Sequence, residues 1–382
     1  MQTCRMKILF LINNTSFGGG SYSLFKLAEA LSKRGHKIYI SSARMPDFLH
    51  LEPKNRLRIK TRGIIPFCRK GYGYINKTWL KLWDRTLVAS LVKREIFDWI
   101  IGQQTLDAVE AHKIGKRYNI KIGNFVYEAP VLLSERSSSY WDNWSSTNGR
   151  LKGEWDEFKN ALVESDAIFA ISNLMKNKIV GWINKEIDEV IYPGLNVYDS
   201  VDIIKTKKQN QILFIGRLVK SKNVAEIINA LTMVEDPPRF VVCGTGEEEA
   251  NLRRMGNRLR IDCRFIRDLS DSEKWLEIRK SLFMVFPTSL EGFGMPPGEA
   301  LMCGIPCIAS DIPILREVYR NNLIYFREHD TYDLADKINL LLVKIRNGNF
   351  SITDKRGFLK QYSWDCSAEK IESVLSKKLK VG

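Results

Sequence analysis

Short apolar runs and longer stretches of helical periodicity alternate along the whole chain. The first run, Lys7–Ile12, is apolar after its lysine, as a strand buried on both faces of a parallel sheet requires. Phe17-Gly18-Gly19-Gly20 follows, and Ser21 stands where it can N-cap a helix with apolar positions at Leu24, Leu27, Ala28 and Leu31. Gly35 suits the left-handed residue that ends such a helix, and Lys37–Ser41 then starts a second strand. The segment predicts a βαβ unit with a right-handed crossover.

The alternation continues through Phe97–Ile101, Ile120–Tyr127, Ala167–Ile171 and Glu189–Tyr192, read as strands with helices between them. From Gly194 to Asn210 the chain turns polar, and Lys205 to Gln211 has no apolar side chain. That stretch predicts a linker between an N-terminal domain of residues 1–200 and a C-terminal domain of 201–382. A second strand series follows at Gln211–Ile215, Arg239–Cys243, Cys263–Ile266, Leu282–Phe286, Pro306–Ala309 and Leu323–Phe326. Ser363-Trp364-Asp365 leads into a closing helix to Lys380. Two such series predict an α/β protein of two Rossmann-like, doubly wound domains facing each other across a cleft. Ligands of such sheets bind beyond the carboxyl ends of the strands, so the loops there carry the chemistry.

Composition narrows the class. No apolar run approaches the roughly 20 residues of a membrane-spanning helix. The apolar N-terminal run breaks at Asn13-Asn14 without a small-residue cleavage site, which argues against a secretory signal. The seven cysteines are odd in number and form no Cys-x-x-Cys pair, so neither a disulfide framework nor a zinc site is expected. These features place the protein in a reducing cytoplasm. Residues 1–127 hold 23 Lys and Arg against 8 Asp and Glu, which is the whole net charge of +15. A basic region of this kind suits an anionic lipid surface or nucleic acid, although a solvated face looks the same.

The segment richest in chemistry is Leu290-Glu291-Gly292-Phe293-Gly294-Met295-Pro296-Pro297-Gly298-Glu299. It follows an apolar run, and its glycines let backbone approach a ligand closely. The prolines pre-set a helix start, whose N-terminus with N–H groups from Gly292 to Gly294 forms an anion site. The two glutamates can accept hydrogen bonds from sugar or ribose hydroxyls. Glu299 alone also fits a plain first-turn carboxylate favoured by the helix dipole. A second loop, Gly216-Arg217 with Lys222, places two cations at a strand's carboxyl end, suited to a diphosphate.

Glu291 to Glu299, with Cys303-Gly304-Ile305-Pro306 and Ala309-Ser310-Asp311, resembles the Glu-x7-Glu motif of the retaining family 4 glycosyltransferases of GT-B fold. Gly216-Arg217 with Lys222 resembles that family's donor-phosphate pair, and Gly244-Thr245-Gly246-Glu247 its next glycine turn. Phe17 to Gly20 with Gly35-His36, and Ser165 through Ser172, resemble parts of its N-terminal domain. The resemblance spans nearly the whole chain and is strongest over 211–320. It implies transfer of a sugar from a UDP-, GDP- or ADP-linked donor with retention of configuration. Glu291 would contact the donor sugar, with Gly292, Phe293 and Gly294 presenting backbone N–H groups. Glu299 would hold the ribose, Arg217 and Lys222 the diphosphate, and Gly19 and Gly20 would let the first helix close on the phosphates. No metal or other cofactor is implied, because the cations take over the charge stabilisation.

Where many members of that family carry a histidine, this chain has Tyr127 and Glu128. Tyr127 could hydrogen-bond the donor sugar, and Glu128 could accept the acceptor's proton. Trp141 and Trp144, with Trp155 nearby, could stack on a sugar or simply cover a loop. Trp79, Leu82, Trp83, Leu87 and Leu91 fall at helical spacing beside Lys81, Arg85 and Lys93. Such a helix suits peripheral contact with an anionic membrane carrying a lipid-linked acceptor, or packing on the N-terminal sheet. A phosphorylase or sugar-nucleotide epimerase would share the architecture, but the Glu-x7-Glu spacing favours transfer. Nucleic-acid binding finds no recognition helix here, and an inactive scaffold would not need Arg217, Lys222, Glu291 and Glu299.

Overall fold

The computed structural model describes residues 5–12, 19–42, 58–61, 88–127, 150–195, 206–349 and 356–380. By contacts the chain divides into two units: Met1–Gly194 together with Trp364–Gly382, and Leu195–Ser363. The expected boundary near residue 200 thus falls at Gly194. The last helix, which the sequence counts with the second domain while expecting it to close back toward the first, belongs to the first unit.

In the first unit, β1 Lys7–Ile12, β2 Lys37–Ser42, β3 Arg58–Thr61, β4 Trp99–Gln103, β5 Lys121–Val126, β6 Ala167–Ala170 and β7 Glu189–Val190 form one sheet. Its order is β3-β2-β1-β4-β5-β6-β7 and every pairing is parallel. The strand at Arg58–Thr61 has no counterpart among the expected runs, since Arg58-Ile59-Lys60-Thr61 offers a single large apolar residue. The helices are α1 Gly19–Lys33, α2 over 88–94, α3 Gln104–Tyr118, α4 Arg150–Val163 and α5 Asn173–Ile183.

Burial explains the unbroken apolar character of β1. Ile8, Phe10 and Ile12 join the core under α1, with Leu24, Leu27, Ala28 and Leu31. Leu9 and Leu11 join the core of the other face, with Val88, Leu91 and Val92 of α2 and Ala111 and Ile114 of α3. The described end of the amphipathic segment therefore packs on the sheet; Trp79 to Leu87 lie outside the described residues. α1 begins at Gly19, so Ser21 is a buried residue inside the helix and not its cap. The Gly35 ending holds, with φ +96° and an N–H bonded to the Ser32 carbonyl at 3.0 Å.

In the second unit, β8 Gln211–Ile215, β9 Arg239–Cys243, β10 Cys263–Ile266, β11 Phe283–Phe286, β12 Cys307–Ser310 and β13 Ile324–Phe326 form a parallel sheet of order β10-β9-β8-β11-β12-β13. Its helices are α6 Val224–Leu231, α7 Glu249–Leu259, α8 Asp271–Lys280, α9 Met295–Met302, α10 Pro313–Tyr319, α11 Thr331–Arg346 and α12 Arg356–Leu359. The strand order reverses between β8 and β11, the switch point at which doubly wound sheets place ligands. Among the described residues no helix is long and apolar enough to cross a membrane.

The chain ends in α13 Trp364–Lys380. Its Ala368, Ile371 and Leu375 fill the same core as α1. Glu372, itself buried, takes the Arg34 Nε donor at 2.6 Å, and Ser367 Oγ donates to the Tyr192 carbonyl at 2.7 Å. His36 lies beside this pair, its Nε2 3.4 Å from Glu372 and its Nδ1 accepting from the Met6 N–H at 3.2 Å. Burial lowers the His36 pKa more than Glu372 raises it. The folded chain therefore holds a neutral imidazole that the unfolded chain protonates near pH 6.5. Its contribution is present above that pH and is lost as pH falls. Unfolding free energy measured by denaturant at pH 7.5 and pH 5.5 should drop for the wild type, and drop less for His36→Asn. Equal drops would remove His36 from this role.

Candidate functional site

Beyond β8 the chain passes Gly216 and Arg217 and forms one 3-10 turn at Lys220–Lys222. Asn223, at φ +50°, joins that turn to α6, so the helix expected near Lys222 starts as a 3-10 turn. The loops after β8 and β9 run together. Gly216 N–H donates to the Cys243 carbonyl at 3.0 Å, and Leu218 N–H to the Thr245 carbonyl at 2.9 Å. Gly244 is required at this crossing, because a Cβ there would stand 1.9 Å from the Gly216 oxygen and φ is +146°.

The loop after β11 is tied to the same place. Lys222 Nζ donates to the Glu291 carboxylate and to the Leu290 carbonyl at 3.3 Å, with both charged side chains largely buried. Ser221 O accepts from the Ser289 N–H at 3.0 Å and from Thr288 Oγ1 at 3.2 Å, and Asn223 Nδ2 donates to Pro287 O at 3.0 Å. An ammonium has three N–H donors, so Lys222 is held by two and keeps a third. Arg217 is exposed, and among the described residues no hydrogen bond or ion pair holds its guanidinium. The two expected cations thus sit on one loop, Lys222 fixed and Arg217 uncommitted among the described residues.

Glu299 is the fifth residue of α9, past the first turn, which removes the dipole explanation. It is 6% exposed, and its Oε1 accepts from Lys274 Nζ at 2.7 Å. Burial pulls the Lys274 pKa down, but the Glu299 carboxylate outweighs it and the net shift is upward. Lys274 sits on α8, which Ser270 and Glu273 start as a capping box. Helical periodicity did not single out Lys274; the Ser-x-x-Glu pair would have placed it one position inside that start. Gly216, Arg217, Gly244, Thr245 and Asp268 of the loops after β8, β9 and β10, with Lys274 of α8, line an open concavity of about 250 Å³.

The start of α9 differs from the expected array of helix donors. Pro296 and Pro297 have no N–H, and the Gly298 N–H donates to the Tyr319 hydroxyl at 3.0 Å. That hydroxyl donates in turn to the Gly294 carbonyl, so it stands inside what would be the first i→i+4 bond of the helix. A side chain on Gly298 would put Cβ 2.8 Å from the Tyr319 oxygen. Backbone donors for an anion therefore fall to the loop Gly292–Gly294, where Gly294 takes φ +81°. The Phe293 ring is buried on Tyr362 and Tyr319, at 5.4 and 6.4 Å between centroids, so only its backbone is placed for a ligand. Nothing in the apolar spacing of α10 marks Tyr319 in advance.

In the first unit, Gly19 and Gly20 open α1, and Tyr127 follows β5. Tyr127 Oη donates to the Gly20 carbonyl at 3.0 Å, and its N–H donates to Gln104 Oε1 at 3.0 Å. Burial pushes the phenol pKa up, so the hydroxyl keeps its proton and donates it to the Gly20 carbonyl. Trp155 packs in a ring cluster with Phe158 and Trp182. Glu128, Trp141 and Trp144 lie outside the described residues. Among the described residues no group of three His, Cys, Asp or Glu could hold a metal ion.

Two outcomes follow from these bonds. Tyr319→Phe removes the bridge and should cost about 1 kcal/mol of unfolding free energy, with weaker nucleotide binding in titrations. Glu299→Ala leaves Lys274 with Asp271, 3.8 Å away, as its remaining carboxylate and should cost about 2 kcal/mol or more, most of it returned when Lys274→Met is added. Denaturant unfolding of the single and double variants measures both.

Residues 199–346 match the family model described as glycosyl transferases group 1. The O-antigen chain mannosyltransferase RfbU of Salmonella typhimurium is 29% identical over 168 residues, 43% of this chain and 47% of that protein. The alignment therefore spans about half of that relative. Sucrose-phosphate synthase from Thermosynechococcus elongatus superposes with a TM-score of 0.80 at 16% identity, covering 99% of this chain and 100% of that one. Anabaena Alr3699/HepE in complex with UDP-glucose gives a TM-score of 0.76 at 17% identity, covering 98% and 100%. The fold is that of the two-domain GT-B glycosyltransferases, and its second unit carries the match to the group 1 glycosyl transferase domain.

Proposed function

We propose that this chain is a glycosyltransferase that moves a sugar from a nucleoside-diphosphate donor, held by the second unit, to an acceptor glycan held by the first. The observation that carries this reading is the convergence of Arg217, the Lys222–Glu291 pair and the Lys274–Glu299 pair on the strand ends of one sheet. Arg217 offers a planar fork to a diphosphate, and Lys222 its remaining N–H. Negative charge grows on the diphosphate as the sugar leaves, and cations already in place stabilise it without rearranging. Glu291 then has one oxygen for Lys222 and one for a sugar hydroxyl, and Glu299 faces the ribose. The group 1 domain match supports this reading, as do the UDP and UDP-glucose bound by HepE.

The finer reading is transfer with retention and without a divalent metal, the two cations supplying the charge a metal would bring. The acceptor is a cell-envelope or lipid-linked glycan, for which the name O-antigen chain mannosyltransferase of RfbU is the support. The basic first 127 residues would meet the anionic cytoplasmic face of the membrane that carries it.

Arg217→Ala should weaken nucleoside-diphosphate binding about tenfold or more in the presence of EDTA, with an unchanged melting temperature. Glu291→Ala should lower both turnover and donor affinity, because it releases Lys222. Calorimetric titration and a transfer assay with nucleotide sugars test the reading. Binding that needs a divalent metal would remove the metal-free reading, and binding indifferent to Arg217 would remove the diphosphate assignment.

A further inference from the structure

We propose that the chain self-associates through the outer face of α11, laid antiparallel against the same helix of a second copy. The inner face of α11 buries Leu334, Ala335, Ile338, Leu341 and Leu342 and packs on α6, β12 and β13. On its outer face Leu340 and Val343 are each 54% exposed. Met233, just past the end of α6, is 38% exposed, and its carbonyl accepts from Asn339 Nδ2 at 3.4 Å, which sets it beside this face. Tyr332, two turns before Leu340, is exposed as well. Among the described residues seven large apolar side chains are exposed, and these four of them share one surface. Scattered apolar side chains are ordinary on a protein surface, whereas a cluster marks a place of contact.

Charge selects the occupant. Asp336 stands four residues before Leu340 and Lys344 four residues after it, so the three form one ridge along the helix. Both charged side chains are exposed, and among the described residues neither has a hydrogen bond or an ion pair. A two-fold axis at Leu340 sets each residue against the one equally far along the helix on the other side. Asp336 then meets Lys344 of the second copy, and Lys344 meets the second copy's Asp336. The same operation sets Asp333 against Asn347 and Lys337 against Val343, so no like charges meet. The face is its own electrostatic complement, which a second copy requires and an unrelated partner does not.

Four apolar side chains from each copy make a smaller interface than the about 800 Å² per partner of a stable dimer. The association is therefore weak, with a Kd of about 10 μM or above. α11 follows β13, the edge strand opposite β10, so the concavity beyond β8, β9 and β10 is left open. The inference is independent of the nucleotide-sugar reading.

The test is sedimentation of the full chain from about 1 to 300 μM, a range that spans this Kd. The wild type should pass from monomer to dimer and no further. Asp336→Lys and Lys344→Asp should each weaken the dimer about fivefold or more, because both cross-pairs become repulsive. Neither exposed substitution should change the melting temperature. An equal mixture of the two variants should recover the wild-type association, since every reversed charge then faces its opposite. A wild type that stays monomeric overturns the proposal and leaves the face to a different partner or to another segment of this chain. Variants that dimerise as tightly as the wild type overturn the choice of surface. A mixture no tighter than the separate variants overturns the antiparallel register, and growth beyond a dimer overturns the closed two-fold.

Discussion

The Lys222 ammonium fixes the geometry on which the second unit's chemistry depends. It bonds to Glu291, 69 positions away in sequence, and to the Leu290 carbonyl. Through it the loop after β8 is held to the loop after β11, the two strands on either side of the switch point. Backbone and hydroxyl bonds from Ser289 and Thr288 to Ser221 repeat the connection on uncharged atoms. The ion pair thus does two things at once. It positions a cation for a phosphate, and it prevents that cation from standing as an uncompensated charge in a half-buried loop.

Lys274 and Glu299 follow the same rule one helix away. Each proposed ligand-binding carboxylate is paired with a lysine before any ligand arrives, so the site is close to charge balance in itself. Arg217, on the lining of the concavity, has no hydrogen bond or ion pair among the described residues.

Most of the architecture was legible because burial leaves a plain signature. β8 and β9 have the bounds that their apolar runs predict, since strands covered on both faces admit few polar residues. The edge strand at Arg58–Thr61 was not legible, its residues being mostly polar. Arg217, Lys222, Glu291 and Glu299 stood out because charge beside glycine and proline is unusual at strand ends. Lys274 and Tyr319 did not, because their roles come from partners 25 residues away in sequence. A lone lysine on a helix looks like a surface residue, and a lone tyrosine among apolar neighbours looks like core. Their meaning is set by tertiary contact, which no local pattern carries.

The closing helix makes the first unit discontinuous, and that has a consequence for synthesis. The stripe of Leu24, Leu27, Ala28 and Leu31 on α1 is covered by Ala368, Ile371 and Leu375, which are synthesised only after the whole second unit. The second unit, Leu195–Ser363, is continuous and can complete its sheet while the first is still open. Vectorial order is thereby inverted: the half made first is finished last. During elongation an apolar face about two turns long stays exposed, which invites chaperone capture. A chain cut short before Trp364 carries one finished half and one that cannot close.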